Sequence, residues 1–247
     1  MALPLFLKPK NLYHMKRLGK NNDGGYLCGI NSINETKTLI SFGINDDFSF
    51  EKDFSILNQN AKIICYDNNN YKIFWLKYIW KDIGKVFFNF NIKSILKTIF
   101  SIVRFNKFFK KNKLIQKRIT YNSLNDILID EKDIILKPLF LKIDIEGGEY
   151  RILESILKIQ HLINGIIIEL HDIDLHMEKI KYFVDKLKLN LIHIHGNNFS
   201  ELESKNPTVI EVTFERNSEI IPSEQKYPND LDQPNNSEKK DICLTFE

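Results

Sequence analysis

The run Leu139–Leu153, LFLKIDIEGGEYRIL, constrains the fold of this chain more than any other stretch. It opens apolar, takes a charge at every second position, then turns through two glycines into a helical pattern. In an extended strand Lys142, Asp144 and Glu146 fall on one face, because side chains alternate with period two. A strand buried on both faces of a parallel sheet carries apolar residues, and unpaired charges there cost several kcal/mol. The charges are therefore expected at the strand's carboxyl end, facing each other or a crevice. Open α/β sheets bind ligands in such a crevice.

Other stretches repeat that logic. Thr38–Ile44 is a short apolar strand containing Gly43, followed by a helical pattern over Phe48–Leu57. Lys62–Asp67 is a second strand ending in an acid, 24 positions after Gly43. Strand, glycine turn, helix, strand and terminal acid together describe the nucleoside-binding half of a Rossmann-like sheet. Gly43 lets a ligand approach the backbone and Asp67 takes ribose hydroxyls. The competing reading makes Asp67 a strand-end turn residue, since Asn68–Asn70 follow it. Further strands are expected at Lys117–Tyr121, Asn164–Asp172, Leu189–Asn198 and Thr208–Phe214, with helices near Ser123–Leu128, Glu149–Lys158 and Ile173–Leu187. Asn-Asp-Gly-Gly at 22–25 marks a hairpin turn, either plain or a flap over a cofactor.

With 247 residues and 43% hydrophobic content the chain reads as one domain. Cys28, Cys65 and Cys243 lack metal-ligand spacing and read as free thiols of a reducing compartment. No signal peptide and no stretch approaching roughly 20 apolar residues is visible, so a cytoplasmic protein is expected. The net charge of +3 does not argue for nucleic acid. Residues 83–118 stand apart as a basic helical insertion, with ten Lys or Arg and no acid. Ile92, Ile95, Leu96, Ile99, Phe100 and Val103 share one helical face there. Three readings stay open: a core-packed helix with a solvated basic face, an entrance for an anionic substrate, or peripheral membrane contact through 92–113 at the inner face. From about residue 216 onward an irregular surface segment is expected, with Ile242–Phe246 as a last edge strand.

Alternating strands and helices imply a doubly wound α/β sheet, mostly parallel and seven-stranded, with helices on both faces. The segment Lys142-Ile-Asp144-Ile-Glu146-Gly147-Gly-Glu149 resembles the Lys-x-Asp-x-Glu-Gly-x-Glu signature of FkbM-type S-adenosylmethionine-dependent methyltransferases, and Ile166–His171 resembles that family's following strand. The likeness runs from about residue 16 to 215, although the family's glycine-rich first loop is reduced to Ser41–Asp47. It implies S-adenosylmethionine as cofactor, met by Ser41, Gly43, Asp67 and Asp144. It also implies O-methylation of a sugar hydroxyl, on a nucleotide-linked or surface-polysaccharide acceptor.

A sugar hydroxyl needs help to lose its proton. His171 leads as the base, with His195 and Asp144 behind it. Alternatively Mg²⁺ or Mn²⁺ held among Asp144, His171 and Glu169 lowers the hydroxyl's pKa directly. Tyr26, Glu146 and Asn197 are the expected substrate contacts, Glu146 alternatively orienting Lys142, while Glu149 reads as structural. His193 and His195 share a strand face with Asn197. The rivals are an NAD-dependent oxidoreductase, whose Gly-x-Gly-x-x-Gly after the first strand this chain lacks, and a nucleic-acid methyltransferase, whose Asn/Asp-Pro-Pro-aromatic after the fourth is replaced here by Asp144-Ile-Glu-Gly.

Overall fold

The computed structural model describes residues 2–89, 92–200, 202–203 and 206–247, and the side chains of these except 85–89, 92 and 202–203. Seven strands form the central sheet: β1 (Thr38–Phe42), β2 (Lys62–Asp67), β3 (Lys113–Gln116), β4 (Leu139–Ile143), β5 (Ile163–Leu170), β6 (Asn190–Gly196) and β7 (Ile210–Glu215). Their order is β3-β2-β1-β4-β5-β7-β6. β1 to β5 run parallel, and β7 is antiparallel to both β5 and β6. The expected doubly wound sheet is present. Helices α1 (Ser49–Leu57), α2 (Tyr71–Asn89), α3 (Ile92–Phe109), α4 (Ser123–Asp130), α5 (Leu153–Ile159) and α6 (Ile173–Lys186) complete it.

All five residues of β1 and of β4, and all eight of β5, are buried, as central strands covered on both faces must be. One core cluster joins Ile40, Leu141 and Ile168 to Ile156 of α5 and Ile180 of α6. A second joins Leu39 and Phe140 to Phe50 and Phe54 of α1 and Phe105 of α3. Strand order reverses between β1 and β4, which opens a crevice beyond their carboxyl ends.

An N-terminal hairpin, Met15–Gly19 paired with Gly25–Gly29, lies against β7. Gly29 N–H donates to Glu215 Oε1 at 2.6 Å, and a Cβ on Gly29 would fall 2.2 Å from Glu215 Oε2. Thr213 Oγ1 donates to the Leu27 carbonyl at 2.7 Å. These contacts swing Tyr26 into the crevice.

Four expectations need correction. The third strand is Lys113–Gln116, not Lys117–Tyr121: Leu114 and Ile115 pair with Cys65 and Tyr66, after which the chain leaves the sheet and Ile119 reaches the core from a loop. The fourth strand stops at Ile143, so Lys142, Asp144 and Glu146 do not share one strand face, and Glu146 takes a φ of 53°. The helical insertion begins at Tyr71 rather than near residue 83, and the stripe Leu96, Ile99, Phe100 and Val103 is exposed instead of core-packed; the side chains of Lys85 and Ile92 lie outside the described residues. Ile242–Phe246 makes one isolated bridge, Leu3 to Phe246, not a strand.

Candidate active site

A cleft of about 950 Å³ occupies the crevice, within the range of roughly 300–1,000 Å³ usual for small-molecule sites. Its floor is the junction of β1 and β4. Gly43 has φ 74°, and an added Cβ would sit 1.7 Å from the Asp144 carbonyl oxygen. Glycine is needed there because two strand ends approach each other, a reason the sequence did not disclose. Asp67, at the end of β2, accepts from Ile44 N–H at 3.0 Å, Asn45 N–H at 2.8 Å and Asn69 N–H at 2.7 Å. It lines the cleft, yet three of a carboxylate's roughly four acceptor sites are already filled by backbone. Ser41 stands behind the wall rather than in it: it is fully buried and its hydroxyl donates to Glu51 Oε1 at 2.5 Å.

Lys142 is buried, with Nζ 3.2 Å from the Gly43 carbonyl and 3.7 Å from Asp144 Oδ2. Burial alone would lower its pKa; Asp144, Glu51, Glu169 and Asp47 outweigh that and hold it above its ordinary value. The Lys142 ammonium is thus the buried cation that offsets the carboxylates Asp144, Glu51, Glu169 and Asp47 around it.

The Tyr26 hydroxyl lies 3.1 Å from Asp144 Oδ2 and 3.1 Å from Glu169 Oε2. Glu169 Oε1 accepts from Asn197 Nδ2 at 2.8 Å. Burial, reinforced by Asp144 and Glu211, pushes the Glu169 carboxyl well above the usual range. Burial and the same carboxylates raise the Tyr26 phenol too. Tyr26 and Asn197 both border the cleft, Tyr26 as a link between Asp144 and Glu169 and Asn197 as a donor to Glu169, and the Asn197 amide oxygen is taken by Phe199 N–H at 2.9 Å.

His171 follows β5. Its Nδ1 is 3.3 Å from Glu149 Oε1 and its Nε2 3.4 Å from Glu146 Oε2. Burial would lower its pKa, but Glu149, Glu169 and Asp144 hold it up at about 9. At neutral pH the ring is then cationic and has no lone pair with which to act as a base. Glu149 Oε1 accepts from Ile145 N–H at 3.0 Å and from Gly147 N–H at 3.3 Å, the structural role expected of it. Glu146 sits at the rim with its side chain 87% exposed, and no described contact joins it to Lys142. Asp144, Glu146 and His171 each offer a ligand atom within 4.8 Å of the others. Glu169, expected in that set, is bound to Tyr26 and Asn197 instead.

His195 is outside the cleft. It is 1% exposed, with Nε2 2.9 Å from Asp241 Oδ1 and Nδ1 3.4 Å from Glu211 Oε2. His193 Nε2 lies 2.9 Å from Asp232 Oδ1. The two histidines clamp the segment after residue 216 onto β6 and β7, which corrects both the catalytic expectation for His195 and the reading of that segment as mere surface. Asn235, buried there, donates to Glu211 Oε1 at 2.6 Å. Two contributors went unseen in the sequence. Glu51 faces inward between Phe50 and Phe54, and no pattern distinguishes it from a solvated helix residue. Tyr150, whose hydroxyl donates to the His171 carbonyl at 2.5 Å, was visible only as part of the following helical pattern.

This sheet order, with an antiparallel β7 and an acid-lined cleft at the reversal between β1 and β4, defines the class of Rossmann-like methyltransferases. The methyltransferase FkbM domain matches residues 17–205. The chain belongs to the FkbM family of S-adenosylmethionine-dependent methyltransferases. That membership sets aside the oxidoreductase reading. No curated protein sequence matches the chain. Among solved structures it is similar to an O-methyltransferase from Bacillus cereus in complex with S-adenosylhomocysteine, at 10% identity and TM-score 0.39, covering 75% of this chain and 76% of that one. It is also similar to a precorrin-6y C5,15-methyltransferase from Geobacter metallireducens, at 14% identity and TM-score 0.37, covering 76% and 85%. A third is TrmK of M. capricolum with S-adenosylhomocysteine, at 12% identity and TM-score 0.39, covering 79% and 71%.

Proposed function

We propose that this protein methylates a hydroxyl of a sugar, carried on a nucleotide or on a surface polysaccharide. The observation that carries the reading is the pair Asp144 and Glu169, held on either side of the Tyr26 hydroxyl in the cleft wall. Family membership supports S-adenosylmethionine as donor. When bound, the donor supplies a methyl group already activated for in-line displacement, so the chain's task is alignment and proton removal.

Asp144 receives the proton in this reading. Its Oδ2 is engaged by Tyr26 and Lys142, while its Oδ1 has no hydrogen-bond donor among the described residues and is free to face an acceptor hydroxyl. As the acceptor oxygen bonds to the methyl carbon and the carbon–sulfur bond breaks, the hydroxyl proton passes to Asp144. Glu169, protonated by virtue of its raised pKa, donates its hydrogen bond to the Tyr26 oxygen, so that the Tyr26 proton stays on the bond to Asp144 Oδ2 and neither group loses a proton in the step. Lys142 offsets the negative charge of the group.

A second means of activation is favoured by the convergence of Asp144, Glu146 and His171. Two carboxylates, and the His171 imidazole once the ion displaces its proton, would hold Mn²⁺ or Mg²⁺, which would lower the acceptor's pKa at the same place. The exposed cations Arg118 and Arg151 at the cleft edge suit an acceptor bearing phosphate. Incubating the purified chain with methyl-labelled donor and a panel of nucleotide sugars, with and without EDTA, tests the whole reading. Label in a sugar ether is expected, and D144N should abolish it while S-adenosylhomocysteine still binds. Label appearing only in RNA or DNA, or full turnover by D144N, would refute it.

A further inference from the structure

The sequence singled out the basic insertion, and the methyl-transfer reading leaves it unused. α2 and α3 pack against each other and are tied to the domain at their base. Phe105 stacks on Tyr71 with ring centroids 4.7 Å apart, and Phe108 on Phe48 at 5.0 Å. Thr98 of α3 donates to Asp82 of α2 at 2.5 Å. Those contacts use one side of α3. On the other, Leu96, Ile99, Phe100 and Val103 recur at i, i+3, i+4 and i+7, and they are 49%, 46%, 63% and 57% exposed. On α2, Ile73, Leu76 and Trp80 recur at i, i+3 and i+7 and are exposed as well. Single exposed apolar residues need no explanation, but two continuous stripes on adjoining helices do.

The charges beside the stripe identify the occupant. Lys93, Lys97, Arg104 and Lys107 recur at i, i+4, i+11 and i+14, forming a cationic row along the edge of the apolar one. Lys110 and Lys111 extend it. All six are exposed, and none has an ion-pair partner among the described residues. No Asp or Glu occurs between Ile83 and Ile119 to oppose them. A nucleic-acid partner would use the cations but gain nothing from a row of Leu, Ile, Phe and Val, whereas a second copy would meet like charge. An anionic bilayer surface uses both rows, with apolar side chains in the acyl boundary and ammonium groups among the headgroup phosphates. Neither helix is long and apolar enough to cross a membrane.

We propose that the α2–α3 hairpin docks the protein, through the apolar stripe and cationic row of α3, on the surface of a bilayer rich in anionic phospholipid. Docking is independent of the methyl acceptor's identity. Co-sedimentation of the full chain with phosphatidylcholine vesicles, with and without phosphatidylglycerol, tests it. Binding is expected only when phosphatidylglycerol is present, is weakened by salt, and moves Trp80 fluorescence to shorter wavelength. Two variants separate the contributions, F100S/V103N for the stripe and K93Q/K97Q/R104Q for the row. Each should lower partitioning by about tenfold or more while leaving far-UV circular dichroism and S-adenosylhomocysteine binding unchanged, since every altered side chain is exposed. No binding to phosphatidylglycerol vesicles at low salt would overturn the proposal, as would variants that bind like the parent. A concentration-dependent dimer that F100S/V103N dissolves, or RNA binding in place of vesicle binding, would assign the surface to another occupant and overturn it equally.

Discussion

A tyrosine hydroxyl within 3.1 Å of two carboxylates has a single proton to donate, so the second contact requires a proton on one acid. Glu169, with its pKa raised by burial, is that acid, and Tyr26 is the positioning residue that keeps it in register with Asp144. Y26F preserves the ring's edge-on packing against Phe50 and removes only the link. The expected result is a fall in kcat on the order of tenfold or more with KM for the donor unchanged, because the loss bears on proton movement. A shifted pH–rate profile should accompany it; unchanged kcat would exclude the relay. Gly43 makes a sharper prediction. With φ 74° and 1.7 Å to the Asp144 carbonyl, G43A adds backbone strain of about 1–3 kcal/mol to a direct clash. Urea denaturation should show the unfolding free energy falling by at least that strain, with a lower midpoint. The glycine itself was legible, whereas its cause was not: a reader of residues 38–44 sees no Asp144. Ser41 misled for the same reason, since Glu51 beneath it belongs to another element.

Among elements, apolar runs reported strands well wherever both faces are covered, as in β1, β4 and β5. Reading failed at edges. β3 has only β2 as a neighbour, and its register was set by Leu114 and Ile115 against Cys65 and Tyr66 rather than by the better alternation four residues later. The same limit applies to β6, the other edge strand. Its histidines looked like a ligand face because the acids that occupy them, Asp232 and Asp241, lie in a segment with no periodicity at all. The clamp has a measurable pH signature. Burial would lower the His195 pKa, but the hydrogen bonds to Asp241 and Glu211, with the charges of Glu211 and Asp232, raise it from 6.5 to about 10. A folded-state pKa above the unfolded one gives stability that is complete below about pH 6.5 and drains away as pH climbs through about 10. Limited proteolysis across that interval should therefore cut residues 216–247 progressively earlier. H195Q should flatten the dependence and cost about 3–5 kcal/mol by leaving the buried Glu211 and the part-buried Asp241 without their cation. A variant as stable as the parent at pH 7 would show the clamp to be idle.

At the scale of the molecule, the seven strands and their alternation with helices were readable because each strand must bury itself between two layers. The family signature at Lys142–Glu149 was readable because its charges stand where a buried strand tolerates none. What stayed hidden is the convergence of Tyr26, Asp144, Glu169 and Asn197, whose four segments meet only once the N-terminal hairpin folds over β7. That convergence sets Asp144 and Glu169 around the buried Lys142 on the inner wall, while Lys20, Lys117, Arg118, Arg151 and His171 line the cleft against Asp23, Asp46, Asp47, Asp67 and Glu146. Charges so nearly balanced give no preference for a cation over a dinucleotide, so selection falls to the methyltransferase site that the family defines. Thermal unfolding separates the two. Binding to the folded state alone adds about 2.7 kcal/mol at a ligand concentration of 100 Kd, and a chain of 247 residues gains about 2–4 °C per kcal/mol. S-adenosylmethionine should therefore raise Tm by about 5–10 °C at that saturation, while NAD at equal concentration leaves it unmoved. D144N, which removes one of the acids but not the cleft, should retain part of the shift. Equal shifts with both ligands, or none with the sulfonium, would mean that the cleft does not select S-adenosylmethionine over a dinucleotide.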